Sequence, residues 1–168
     1  MRVIGVDPGV TRCGYGIVEV RSGISRYIRA GTIRAVSDEP MERSLYRICI
    51  DLERLIEEHD VEAMAIERLF FNRNMHSALA VAQSSGAAMV AAVECGIPVT
   101  SYTPSEVKAQ ITGVGTAEKS QVAFMVRALL RLEHDPDSAD AADALALALT
   151  HAYRDKIRTL ESRVVSRT

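Results

Sequence analysis

Cysteine is scarce and badly spaced for structural use: the chain has three, Cys13, Cys49 and Cys95, an odd number with no C-x-x-C pair. That argues against a disulfide scaffold and a structural zinc site, and it fits a reducing compartment. Neither sign of charge dominates, since 20 Lys and Arg stand against 22 Asp and Glu for a formal net charge of −2. No global positive field announces nucleic acid, but a cluster of catalytic acids would cancel a basic face in that sum, so distribution matters more than total. Also missing are an apolar run long enough to span a bilayer, a basic leader with an apolar stretch behind it, and any internal repeat or low-complexity segment. The cytoplasm is the expected compartment, and no membrane partner is expected.

What is present is the mix of a soluble globular protein, 168 residues with 48% hydrophobic and 25% charged side chains. This length suits one domain with one core. The stretch Val3-Ile4-Gly5-Val6-Asp7-Pro8-Gly9 organises the rest. It is a short apolar strand ending on a carboxylate, where Asp7 can meet water, a phosphate or a metal ion, and a Pro-Gly turn that can be sharp.

Period-two alternation over 14–20 and apolar points over 24–34 predict two further strands in an antiparallel meander. Apolar residues at helical spacing predict a helix over 41–59, and 61–66 then reads as a fourth strand ending on a second acid, Glu67. A helix over 77–95 is made almost wholly of small and apolar residues, so one side should meet the sheet and the other a partner. A short fifth strand, a brief helix opened by Thr103-Pro104, a helix over 117–132 capped by Thr116 and a last helix capped by Ser138 complete the pattern. The expectation is an α/β fold, a five-stranded mixed sheet in order 3-2-1-4-5 flanked by helices, over residues 1–153. Residues 154–168 read as a basic, mobile C-terminal tail.

That strand order sets Asp7 and Glu67 on adjacent parallel strand ends, where open α/β sheets bind ligands. Asp140 and Asp143 share one face of the last helix, and the small Ala139, Ala141, Ala142 and Ala144 let it lie close to the sheet. Four converging carboxylates repel and call for a cation, and an oxygen-only set favours Mg²⁺ or Mn²⁺ over zinc. Taken singly, Asp140 would equally complement the helix dipole and Glu67 would equally be a solvated strand end. Asp143 is harder to assign to structure, because Asp is a poor interior helix residue in an Ala-Leu run. Phe70, between Arg68 and the group Asn72, Arg73 and Asn74, suits either a wedge among bases or a place in the core or an interface. Lys108 and Lys119 bracket the Gly113-Gly115 loop, placed for phosphate or for plain solvation. His59, His76, His134 and His151 lack ligand spacing and read as surface or helix-end residues.

The motifs Gly5-Val6-Asp7-Pro8-Gly9 with Gly14-Tyr15-Gly16, Ala65-Ile66-Glu67-Arg68-Leu69-Phe70, Ser77-Ala78-Leu79 with Gln83 and Gly86, Val107-Lys108, Gly113-Val114-Gly115-Thr116-Ala117-Glu118-Lys119-Ser120-Gln121-Val122 and Ala139-Asp140-Ala141-Ala142-Asp143-Ala144-Leu145-Ala146 occur in one order. As a set they resemble the RuvC-type Holliday-junction resolvases, of the RNase H-like fold. The resemblance implies that Asp7, Glu67, Asp140 and Asp143 hold two divalent ions, Mg²⁺ with Mn²⁺ as a substitute. It implies an aromatic at the opened junction centre in Phe70, whose sequence neighbours Arg73 and Asn74 read by their own chemistry as DNA contacts, and basic residues near the scissile phosphate in Lys108 and Lys119. It further implies a homodimer, with the helix over 77–95 as a suitable shared surface, that nicks two strands of like polarity and works with RuvA and RuvB. A sugar-kinase type of ATPase would need a second domain. An RNase H-like processor of ribosomal RNA and a junction binder that does not cut are the other readings.

Overall fold

The structure, a computed structural model, describes residues 1–68 and 75–165, with 75–77 and 156–165 described as backbone. Strand β1 (Arg2–Asp7) lies between β2 (Arg12–Arg21) and β4 (Ala63–Glu67), with β3 (Ile24–Arg34) and β5 (Val99–Tyr102) at the edges, in the order 3-2-1-4-5. β1 runs antiparallel to β2 and parallel to β4. Its residues Val3, Ile4 and Val6 are fully buried, because a central strand with helices on both faces must be apolar throughout rather than alternate. Val3 faces one core layer, and Ile4 and Val6 face the other.

Helix α1 (Met41–Glu58) covers one face with Ile48, Leu52, Leu55 and Ile56, the apolar stripe that its periodicity predicts. Helix α2 (Met75–Glu94) packs its small residues Ala88, Ala91 and Ala92 into the same layer. α2 rests chiefly on α1 and less on the sheet, so the expected sheet-facing side is mostly a helix-facing one. Its other side carries exposed Leu79, Val90 and Val93.

The opposite face belongs to α5 (Ala139–Val165), flanked by α3 (Pro104–Thr112) and α4 (Lys119–Leu130). Leu145 and Leu149 of α5 are fully buried against the sheet, each stabilising the layer by roughly 1.5–3 kcal/mol. The approach is set by glycines. A Cβ on Gly5 would run into the Ala144 carbonyl oxygen, one on Gly14 into the Asp140 carbonyl oxygen, and one on Gly16 would lie 2.7 Å from Leu145 Cγ. At the start of α5, Ser138 Oγ accepts from Ala141 N–H at 3.1 Å and lies 2.8 Å from Thr32 Oγ1, which ties the helix start to β3.

Three expectations are corrected. The helix expected from residue 117 begins at Lys119, after Glu118, whose N–H donates to Gln121 Oε1 at 2.9 Å. Ala117 is instead a buried plug of the core, held in a turn by its N–H to the Val114 carbonyl at 3.1 Å. The boundary expected at 153 falls inside one continuous helix, since α5 runs on to Val165. Just past that boundary Arg154 pairs with Glu106 Oε1 at 2.9 Å and lies over the Tyr102 ring. His151 is not at the surface but buried on α5, its Nδ1 2.9 Å from the Tyr102 hydroxyl.

Candidate active site

Asp7 and Glu67 are the last residues of β1 and β4. Val6 pairs with Ile66 in parallel, so the two carboxylates leave neighbouring strands side by side. α5 crosses this edge of the sheet with Gly14 beneath Asp140, bringing Asp140 and Asp143 on its first turns to the same place. Lys119, the first residue of α4, donates from Nζ to Asp143 Oδ2 at 2.9 Å. Lys108 lines one cleft with Glu67, Lys119 and Asp143. The expected four acids and two lysines thus come from five elements to one spot.

The electrostatics agree with that convergence. Burial pushes the Asp7 carboxyl up from its ordinary 3.8 to about 7, with further pushes from Glu67, Asp143 and Asp140 against an opposing pull from Lys119. Glu67 is raised by burial and then by Asp143, again opposed by Lys119. Lys119 is itself held above its ordinary value, first by its hydrogen bond to Asp143, so it stays a cation. Arg12 Nη2 approaches Asp140 Oδ2 to 2.9 Å, yet that buried oxygen receives no well-formed hydrogen bond.

Whether these residues suit a divalent ion is decided by their chemistry. All four donors are hard carboxylates, they repel one another, and one oxygen is buried without a hydrogen bond, which are the conditions under which Mg²⁺ or Mn²⁺ is favourable. Among the described residues no three His, Cys, Asp or Glu side chains form a closed cage for one ion. Arg12 and Lys119 instead neutralise Asp140 and Asp143, so an ion would exchange with those two cations.

Phe70, Arg73 and Asn74 lie outside the described residues. Arg12 and the glycine bed of α5 escaped the reading of the sequence. Gly5 inside a strand was the available signal for close backbone approach. Arg12 had none, since its partner is far along the chain. Gly9 makes the turn without a positive φ, and a Cβ there would meet the Arg12 carbonyl oxygen. Cys13, beside the acids, is buried and its thiol pushed up to about 12, which makes it a core residue rather than a nucleophile.

Residues 3–151 match the family described as Crossover junction endodeoxyribonuclease RuvC. The crossover junction endodeoxyribonuclease RuvC of Salinispora arenicola is 45% identical over 160 residues, which cover 95% of this chain and 91% of that protein. Its counterpart in Streptomyces avermitilis is 47% identical over 155 residues, 92% of this chain and 88% of that one. Thermus thermophilus RuvC, solved in complex with a Holliday junction substrate, superposes with a TM-score of 0.90 at 38% identity, covering 95% of this chain and 97% of that one. Among the described residues no helix is long and apolar enough to cross a membrane.

Proposed function

The chain belongs to the RuvC family of crossover junction endodeoxyribonucleases, of the RNase H-like fold, and on that premise we propose that it resolves four-way DNA junctions in recombination and repair. Cutting is symmetric, on two strands of like polarity, and leaves 5′-phosphate and 3′-hydroxyl ends that a ligase can seal. The observation that supports this most is the gathering of Asp7, Glu67, Asp140 and Asp143, from two strand ends and one helix, into a site where Asp7 is pushed up to about 7.

Asp7, Glu67, Asp140 and Asp143 would hold two Mg²⁺ ions, with Mn²⁺ as a substitute. Bound there, the ions supply an activated water and stabilisation of the leaving 3′ oxygen in an in-line displacement. Lys119 has an 81% exposed side chain on the first residue of α4, so it can leave Asp143 and turn toward the phosphate, offsetting charge in the transition state. Lys108, across the same cleft, holds the neighbouring backbone. Phe70 would wedge the junction centre, and Arg73 and Asn74 would contact the DNA. The protein acts in the cytoplasm, and RuvA and RuvB are its partners in branch migration.

The test is incubation with a labelled four-way junction and a matched linear duplex, in Mg²⁺ or in EDTA. Paired, ligatable nicks in the junction alone, lost in EDTA, are expected. Binding without nicks in Mg²⁺ and Mn²⁺ would leave the non-cutting binder, and no selective binding would redirect the search to RNA.

Symmetric cutting needs a two-fold dimer, and the exposed face of α2 fits one. Leu79, Gly86, Val90 and Val93 fall on one stripe of the helix, and the space beyond Gly86 is open, so a second α2 can approach closely. Val93, 71% exposed, is the centre of the prediction. Val93→Asp should turn a dimer into a monomer by light scattering and replace paired nicks with single ones. A variant that stays dimeric removes α2 as the shared surface.

A further inference from the structure

Besides the two lysines, a second pair of cations stands beside the acids, on the far side from α3 and α4. Arg12 opens β2 and Arg34 ends β3, and the two are direct cross-strand partners. Their side of the sheet follows from the alternation. Gly14, two residues after Arg12, faces Asp140, and its partner Thr32 meets Ser138 at the start of α5. Cys13 and Ile33, between them, belong to the opposite core layer. Arg12 and Arg34 therefore share the face and the edge on which the acids lie.

Like charges placed directly opposite on neighbouring strands are destabilising. Arg12 has Asp140 as partner, at 2.9 Å, with its side chain still 52% exposed. Arg34 is exposed and makes no ion pair among the described residues. The end of the sheet thus keeps an uncompensated guanidinium next to a second one whose fork has donors to spare. Such an arrangement suits an anion with two acceptor oxygens shared between the two, as the non-bridging oxygens of a phosphodiester are.

We infer that Arg12 and Arg34 form a backbone-phosphate site for the DNA strand that enters or leaves the acid cluster, opposite the one offered by Lys108 and Lys119. This rests on the nuclease reading above and extends it: the strand would be held on both sides of the cut. Arg12 also positions Asp140, so its removal disturbs two things at once. Arg34 touches no acid of the site, and its removal isolates the phosphate contact.

The experiment is titration of labelled four-way junction, and separately of linear duplex, with wild type, Arg34→Ala, Arg34→Glu and Arg34→Lys in EDTA over a range of salt. Arg34→Ala should bind both DNAs about ten-fold more weakly at moderate salt, a change of about 1.4 kcal/mol. Its plot of log affinity against log salt should be shallower by about one, as for the loss of one phosphate contact. Arg34→Glu should fall further, because the new carboxylate also neutralises Arg12, while Arg34→Lys should stay within a few fold of wild type. Melting should move the other way, with Arg34→Ala and Arg34→Glu as stable as wild type or more so, since a like-charge pair is relieved. Affinity and salt slope unchanged in both Ala and Glu variants would overturn the inference. Because phosphate contacts do not depend on junction geometry, loss on both DNAs supports the arginine site even if wild type shows no preference for the junction, an outcome that would count against the resolvase reading alone.

Discussion

Asp7→Asn should make the metal-free protein more stable while abolishing cutting. The Asp7 carboxyl is raised from 3.8 to about 7, chiefly by burial and then by Glu67, Asp143 and Asp140. A carboxyl raised on folding costs stability once it is ionised. Below about pH 4 native and unfolded chains both carry the proton and the cost is absent. Between pH 4 and 7 the native chain keeps a proton that the unfolded chain has lost, so stability falls as pH rises, and above about pH 7 the full penalty remains. At pH 8 it is on the order of 4 kcal/mol, which for a chain of this size is about 8–16 °C in melting temperature. Asparagine keeps the shape and removes the charge, so the variant should melt higher than wild type in EDTA at pH 8, by a smaller margin at pH 5 and nearly equally at pH 4. Mg²⁺ should stabilise wild type and leave the variant almost unmoved, because the carboxylate proposed to hold the ion is gone. Junction binding should persist in the variant, since phosphate contacts and not acids carry affinity. A variant that melts lower than wild type at pH 8 in EDTA would show that Asp7 is held by compensating contacts, and the repulsive site would have to be abandoned.

This trade between stability and function also explains which parts of the molecule were legible beforehand. The strand order followed from connection lengths: short links give the antiparallel β1-β2-β3, and a helix between β1 and β4 demands a parallel neighbour. Once that order stood, Asp7 and Glu67 had to meet, and the three-residue spacing of Asp140 and Asp143 put both on one face. The start of α4 was not legible, because Thr116 and Glu118 are both plausible caps and the choice is made by Ala117 sinking into the core. The extension of α5 past Tyr153 was obscured by composition. Charged residues there read as a solvated tail, yet Arg, Lys and Glu are good helix formers, and Arg154 is anchored through Glu106 to the capped start of α3. Arg12 was invisible for another reason: nothing local marks an ion pair that closes only when α5 lies down on β2.

The small residues of α5 were expected to allow its close approach, but half of that approach is made by the sheet, and this yields the second large effect. Gly5 and Gly14 sit under different parts of the helix and should fail differently. A Cβ on Gly5 would meet the Ala144 carbonyl oxygen and come within 2.7 Å of Ala148 N, both of them backbone in the middle of the buried run. Neither can rotate away, so Gly5→Ala must lift the helix that carries Leu145 and Leu149 from the sheet. The loss should exceed about 3 kcal/mol, at the upper end for overpacking, and should appear as a melting temperature lower by about 6–12 °C with cutting and binding lost together on warming. A Cβ on Gly14 would meet the Asp140 carbonyl oxygen and stand 2.8 Å from Asp140 Cβ, at the helix's first turn, where the end can tilt. Gly14→Ala should therefore cost less stability than Gly5→Ala but shift Asp140 away from Asp7. A displacement near 1 Å is enough to slow cutting by about 10²-fold, with junction affinity within a few fold of wild type. Cutting by Gly14→Ala at the wild-type rate would mean that the position of Asp140 does not matter to the reaction, and Asp7, Glu67 and Asp143 would then have to carry the site without it.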